Sequence, residues 1–262
     1  MKRVIAITNQ KGGVGKTTTN VNLATCLAQQ GKKVLVCDMD PQGNTTSGFG
    51  VDKHNLEKSI YNLLLDETFL EDVVLKIDAV PGLSLLPANI DLSGAEIELI
   101  DLTDREKRLK NIFNHAKYLY DFILIDCPPS LNILTLNALC AADTVLVPIQ
   151  CEYYALEGLT QLMHTINLVQ KKLNPRLAIE GVVFTMFDAR TNLSVQVVDE
   201  VKANLEEHVY KTIIPRNVRL SEAPSHGLPI TLYAPTSKGA EAYEQLAMEV
   251  IAKDIMSMRM GG

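Results

Sequence analysis

Three kinds of residue in this chain are spaced to handle phosphate: loop glycines, the basic and hydroxyl residues that follow them, and aspartates that end apolar runs. The segment Val4–Thr19 reads VIAITNQKGGVGKTTT, an apolar run that enters a glycine-rich turn and leaves it as a helical pattern. Gly12, Gly13 and Gly15 permit positive φ, so that main-chain N–H groups, including that of Val14, can close on anionic oxygens. The helix start adds its partial positive charge. Lys16 has the reach for the β- and γ-phosphates, and the Thr17 hydroxyl suits a magnesium ion. Lys11, Gly12, Gly13, Val14, Gly15, Lys16, Thr17 and Thr18 are therefore the expected binding set for ATP and Mg²⁺, with hydrolysis as the expected chemistry.

Two further runs end in carboxylates. Val34–Gly43 reads VLVCDMDPQG and places Asp38 and Asp40 two residues apart; Phe122–Ser130 reads FILIDCPPS and places Asp126 directly after four apolar residues. An aspartate there is costly to bury unless a cation or hydrogen bonds satisfy it. Magnesium carried by ATP supplies the cation, directly or through water. Thr17, Asp40 and Asp126 are the expected metal-facing groups, although Asp126 also suits a helix N-cap and Asp38 suits a purely structural role. Asp40 is placed to orient or deprotonate an attacking water, with Lys16 as a catalytic cation. For the base, the candidates are Met186 and Asp188 after one late apolar run and Pro215 and Asn217 after the next; ordinary loop residues are the competing reading.

These groups need a scaffold that brings strand ends together. Strand-like runs fall at Arg3–Thr8, Lys33–Asp38, Leu83–Pro87, Phe122–Asp126, Thr144–Gln150, Glu180–Met186 and Tyr210–Pro215. Most are continuously apolar, as strands covered on both faces are. Helical spacing fills Thr18–Gln30, Asp91–Tyr118, Leu131–Ala142, Ala155–Leu173, Asn192–Glu206 and Ser237–Met258. The alternation predicts an α/β fold, a single-domain P-loop NTPase over residues 1–262 with a mostly parallel twisted sheet and helices on both faces.

Composition sets the limits. A net charge of −6 over 262 residues excludes a generic polycation, so any nucleic-acid contact must come from a local patch. Five scattered cysteines without CxxC spacing read as reduced core residues. No apolar stretch has the length of a membrane span, and the expected location is cytoplasmic. The five histidines lack metal-ligand spacing; His226 lies in a loop expected near the nucleotide.

One departure narrows the reading. The common GxxxxGK[ST] loop has glycine where this chain has Gln10, and Lys11 follows it, giving KGGVGKTT. That loop, with DMDPQGN at Asp38–Asn44, resembles the ParA/MinD group of P-loop ATPases with a deviant phosphate loop. Gln150–Gly158 (QCEYYALEG), Thr185–Asn192 (TMFDARTN) and Ile214–Gly227 (IPRNVRLSEAPSHG) are similar to the chromosomal ParA proteins often called Soj. The likeness covers nearly the whole chain. It implies an ATP-dependent homodimer in which Lys11 crosses to the partner's phosphates, and an Asp40 that hydrolysis requires. It further implies slow turnover and non-specific binding of double-stranded DNA, with Arg190 and Arg219 at the DNA. A ParB-type partner would stimulate hydrolysis, and the ATP-bound form would sit on the nucleoid, with no membrane role. Without the resemblance, Lys11 is a solvated lysine and the arginines are surface residues. The nearest rival is a MinD-like membrane-associated regulator of division-site placement, which needs a basic amphipathic tail. The tail here offers only Lys253 and Arg259 as cations, with Asp254 against them, and reads as the end of a packed helix. An iron–sulfur ATPase or ATP-dependent synthetase is a second rival, unsupported by any cysteine pair or dedicated pocket motif. Tyr153–Tyr154 suits either an interface or packing.

Overall fold

Strands that are apolar at every position must be covered on both faces, and the computed structural model builds the molecule around that requirement. It describes residues 2–65, 68–152, 155–205 and 208–260; Tyr153 and Tyr154 lie outside the described residues. The strands are β1 (Arg3–Ile7), β2 (Val34–Asp38), β3 (Leu75–Lys76), β4 (Leu83–Leu86), β5 (Phe122–Asp126), β6 (Thr144–Gln150), β7 (Ala178–Phe187) and β8 (Val209–Pro215). They form one sheet in the order β3-β4-β2-β5-β1-β6-β7-β8. Only the β3–β4 pairing is antiparallel; every other neighbour runs parallel.

Successive side chains on a strand point to opposite faces, and two cores result. Val4, Ala6, Leu35, Cys37, Ile123 and Ile125 pack on one side. Helices α4 (Leu92–Glu98), α5 (Arg108–Ala116), α6 (Ile133–Ala141), α7 (Ala155–Lys172) and α8 (Asn192–Leu205) supply that layer. Ile5, Ile7, Val34, Val36, Phe122 and Leu124 pack on the other side. There they meet α1 (Lys16–Gln29), α10 (Ile230–Tyr233) and α11 (Lys238–Met260). Short helices α2 (Asn44–Gly48), α3 (Ile60–Leu65) and α9 (Val218–Glu222) complete the connections.

The expected α/β architecture stands, with local corrections. The helix expected over Asp91–Tyr118 is broken: α4 and α5 are separated by two 3₁₀ turns, Leu99–Asp101 and Arg105–Lys107. Leu102 is extended and Asp104 left-handed (φ 54), which interrupts the α-helical hydrogen bonding. β3 was not anticipated, being two residues long. α6 starts at Ile133 rather than Leu131, because the Asn132 side chain caps it by accepting the Thr135 N–H. The short helices α2, α3, α9 and α10 have no signature in apolar spacing.

The register brings the chemistry to one edge. Asp38 and Asp126 are direct partners on β2 and β5, and Asp126 also pairs with Ile7, the last residue of β1. The glycine-rich loop thus leaves the sheet beside both aspartates, where ligands bind in open parallel sheets. At the opposite edge α11 is docked through Val250, and Lys253 donates to the Glu180 carbonyl (3.0 Å) and lies over the Tyr210 ring. Among the described residues no helix is long and apolar enough to cross a membrane.

Candidate nucleotide site

The loop from Thr8 to Lys16 is held from outside and open from within. Asn9 donates to the Pro148 carbonyl (2.8 Å) and accepts the Lys11 N–H (3.0 Å). Gln10, which stands in place of the usual glycine, donates to the Thr165 hydroxyl on α7 (3.1 Å). Thr185 on β7 donates to the Val14 carbonyl (2.8 Å). Gly13 (φ 74) and Gly15 (φ 86) turn the chain through left-handed conformations, and Gly15 is the N-cap of α1. A Cβ built on Gly12 or Gly13 would meet nothing within 4 Å, so the concave side is clear for an anion. Lys16 curls over it and donates to the Lys11 carbonyl (3.0 Å). Burial holds the Lys16 ammonium below its ordinary pKa, and the charges of Asp126, Cys127 and Asp40 oppose the shift.

Asp126 is fully buried. Its Oδ2 accepts the hydroxyls of Thr17 (2.7 Å) and Thr45 (2.8 Å), while Oδ1 has no hydrogen-bond partner. Burial pushes this carboxyl up from the ordinary range, and the neighbouring Asp38 charge adds to the shift. An orphaned buried carboxylate oxygen beside a threonine hydroxyl is a donor set that suits magnesium. Among the described residues no group of three or more His, Cys, Asp or Glu side chains could hold a metal ion alone.

Asp38 is buried too, but it faces its own loop, accepting from the Asp40 N–H and from the Thr46 N–H and hydroxyl. Asp40 is half-buried and lines a cleft of about 610 Å³ with Gly13, Lys16, Thr17, Asn44 and Pro128. A second lobe of about 530 Å³ is lined by Thr18, Met186, Pro215, Asn217, Leu220 and Tyr243. Gly15, Thr18 and Met186 line both lobes. The cleft thus offers two adjoining compartments, one at the glycine loop and one beside the ends of β7 and β8.

Not every expected residue comes to the cleft. Asp188 lines neither lobe; its carboxylate is occupied by the Arg190 guanidinium, which donates from Nε (2.9 Å) and Nη2 (2.7 Å). Those hydrogen bonds hold the Asp188 carboxyl well below the usual range. The Asn217 side chain caps α9 by accepting the Arg219 N–H (2.9 Å). Lys11 also stays out of the cleft, its ammonium paired with Glu152 just after β6. Arg219 pairs with Glu222 (2.8 Å), so both candidate DNA arginines are surface residues with an acidic neighbour. Thr45, Thr46, Thr185 and Glu152 were missed from the sequence. Only the two threonines had a local signal, their place directly after DMDPQGN. All five cysteines are buried free thiols, and burial pushes that of Cys151 up to about 11.

A central parallel strand, a KGGVGKTT turn, a helix opened by lysine and threonine, and an aspartate on the adjacent strand define a P-loop nucleoside triphosphatase. A family model described as "AAA domain" matches residues 2–179. The Sporulation initiation inhibitor protein Soj of Bacillus subtilis is 60% identical over 252 residues, covering 96% of this chain and 99% of that protein. The Chromosome partitioning protein ParA of Caulobacter vibrioides is 52% identical over 254 residues, 96% and 95% of the two chains. The chain belongs to the Soj/ParA family of chromosome-partitioning P-loop ATPases. Its fold matches solved structures across the wider group. A Mycobacterium smegmatis protein described as cobyrinic acid a,c-diamide synthase, with ADP and magnesium, aligns with a TM-score of 0.83 and 40% identity over 96% and 94% of the chains. The septum site-determining protein MinD of Pyrococcus horikoshii, with Mg-ADP, aligns with a TM-score of 0.77 and 29% identity over 95% and 96%. The chain is an ATPase whose ligands are ATP and magnesium.

Proposed function

We propose that residues 1–262 are one ATPase domain acting as a slow, ATP-dependent dimer switch in DNA partitioning. Gly12 to Thr18 cradle the triphosphate with main-chain N–H groups, and Lys16 neutralises its outer oxygens. Thr17, Asp126 and Asp40 face the magnesium, which when bound neutralises charge that builds on the phosphate oxygens. Asp40 orients the attacking water from the open side of the cleft. Met186, Pro215 and Asn217 flank the base; Asp188, tied to Arg190, is the weakest of the base candidates.

The observation that carries the switch reading is the position of Lys11. Its ammonium stands at the rim, held by a partly exposed glutamate rather than turned into its own chain's cleft. A cation placed there is free to exchange Glu152 for phosphate oxygens presented by a second copy, as an arginine finger does in trans. The ATP-bound dimer would then bind double-stranded DNA through Arg190 and Arg219 without reading sequence, and a ParB-type partner would trigger hydrolysis and release. That cycle places the ATP-bound protein on the nucleoid and the released protein in the cytoplasm.

DNA binding measured with ADP, with ATP, and with ATP plus Asp40→Ala tests this. ATP-dependent binding that persists in the variant is the expected result, and equal binding in ADP and ATP would overturn it. Lys11→Ala should abolish ATP-dependent dimers while leaving nucleotide affinity through Lys16. A MinD-like membrane role is opposed by the docking of α11 through Lys253; ATP-dependent pelleting with liposomes would restore it.

A further inference from the structure

Asp38 and Thr46 form a closed polar unit that the roles above leave unused. Both are fully buried. Asp38 Oδ1 accepts the Asp40 N–H (3.2 Å), while Oδ2 accepts the N–H and the hydroxyl of Thr46, each at 2.8 Å. One carboxylate therefore grips both ends of the segment that carries Asp40. The Thr46 hydroxyl also accepts the Ala88 N–H (2.9 Å), tying the segment to the chain after β4. Between the grips, Gly43 (φ 58) presses on the same strand end: an added Cβ would stand 2.7 Å from the Ala88 carbonyl oxygen. Its N–H returns to the Asp40 carbonyl (2.9 Å), and Asp40 Oδ1 accepts the Gln42 N–H (2.9 Å). From the gripped segment, Asp40, Pro41, Gln42 and Asn44 line the cleft.

We propose that Thr46 is a positioning residue for ATP hydrolysis, acting through Asp38 to hold Asp40 at a fixed height above the glycine loop. The proposal rests on the reading of Asp40 as the water-orienting group. Thr46 does not line the cleft, so its removal has no direct route to nucleotide binding. It donates one hydrogen bond to Asp38 and accepts one from Ala88, and both are lost together if the hydroxyl is replaced by a methyl group. Asp38 then keeps only main-chain donors, and the Asp40 segment is released from the strand end. Misplacement of a reacting group by about 1 Å costs on the order of a hundredfold in rate. A segment loosened at one of its two grips falls short of that.

The test is single-turnover ATP hydrolysis alongside equilibrium binding of a fluorescent ATP analogue. Thr46→Val should bind nucleotide within about threefold of wild type yet hydrolyse it about tenfold more slowly, and Thr46→Ser should recover most of the rate. Asp38→Asn breaks the same unit from the other side and should also lower the rate with little change in affinity. A wild-type rate in Thr46→Val overturns the proposal. So does an equal loss of affinity and rate in both Thr46 variants, which marks a role in folding alone. If Thr46→Val does not fold, a wild-type rate in Asp38→Asn overturns it instead. Asp40→Ala separates the two levels: if that variant hydrolyses ATP normally, the reading of Asp40 fails. If it is inactive while Thr46→Val is normal, only the role of Thr46 fails.

Discussion

Met186 holds a backbone conformation that its side chain does not favour. Its φ is 50, within the left-handed region, at the irregular end of the β7–β8 pairing where a glycine or asparagine would be the easier choice. The cost for a residue such as methionine is about 1–2 kcal/mol. Asparagine tolerates this region, so Met186→Asn should recover about 1 kcal/mol of it. For a domain of this size that corresponds to a rise in melting temperature of about 2–4 °C in nucleotide-free protein. The methionine is only half-buried, so little core packing is forfeited. It does line both lobes of the cleft, and losing its contact there should weaken ATP binding about fivefold to tenfold, or about 1 kcal/mol. The variant should therefore be more stable when empty and bind ATP less well. Calorimetric melting without nucleotide and titration with a fluorescent ATP analogue measure the two halves. A lower melting temperature would refute the strain, and an unchanged affinity would refute the reason for tolerating it.

Asp126 and Asp38 are both pushed up by burial, Asp126 also by its neighbour's charge. A folded-state pKa above the unfolded value means stability that is present in acid and lost as pH rises from the carboxylate range towards neutrality. Asp126→Asn should remove part of that loss, so its empty-state melting temperature should gain on wild type at pH 8 relative to pH 5. At Gly181 an added Cβ would lie 2.5 Å from the Tyr210 ring and 2.9 Å from the His208 carbonyl oxygen. Gly181→Ala should lower stability by about 2 kcal/mol or more through overpacking, visible as a lower urea midpoint. Arg190→Ala should weaken ATP-dependent DNA binding equally on all sequences and reduce the salt slope by about one ion. Asp188→Asn, which frees that guanidinium, should strengthen binding at the same salt.

How far the sequence could be read depended on whether a residue's role was local. Asp126 and Lys16 were legible because a buried strand and a glycine turn announce them within a few residues. The helix expected over Asp91–Tyr118 failed for the opposite reason. Ile97 and Ile100 carried the apolar spacing, yet they are 72% and 55% exposed. Apolar periodicity signals burial somewhere, not burial in this core. The Lys11–Glu152 pair spans 141 positions, and the grip of Arg190 on Asp188 depends on a loop conformation that composition does not encode. β3 is too short to carry any period.

Oδ2 of Asp126 takes one hydroxyl from the first turn of α1 and another from the chain that follows Asp40. Two segments, the one that opens α1 and the one that carries Asp40, thus share a single acceptor atom. Whatever competes for that atom must loosen or tighten both at once. On the roles proposed for Thr17 and Asp40, a change at that one atom reaches the loop that would bind nucleotide and the loop that would hydrolyse it together.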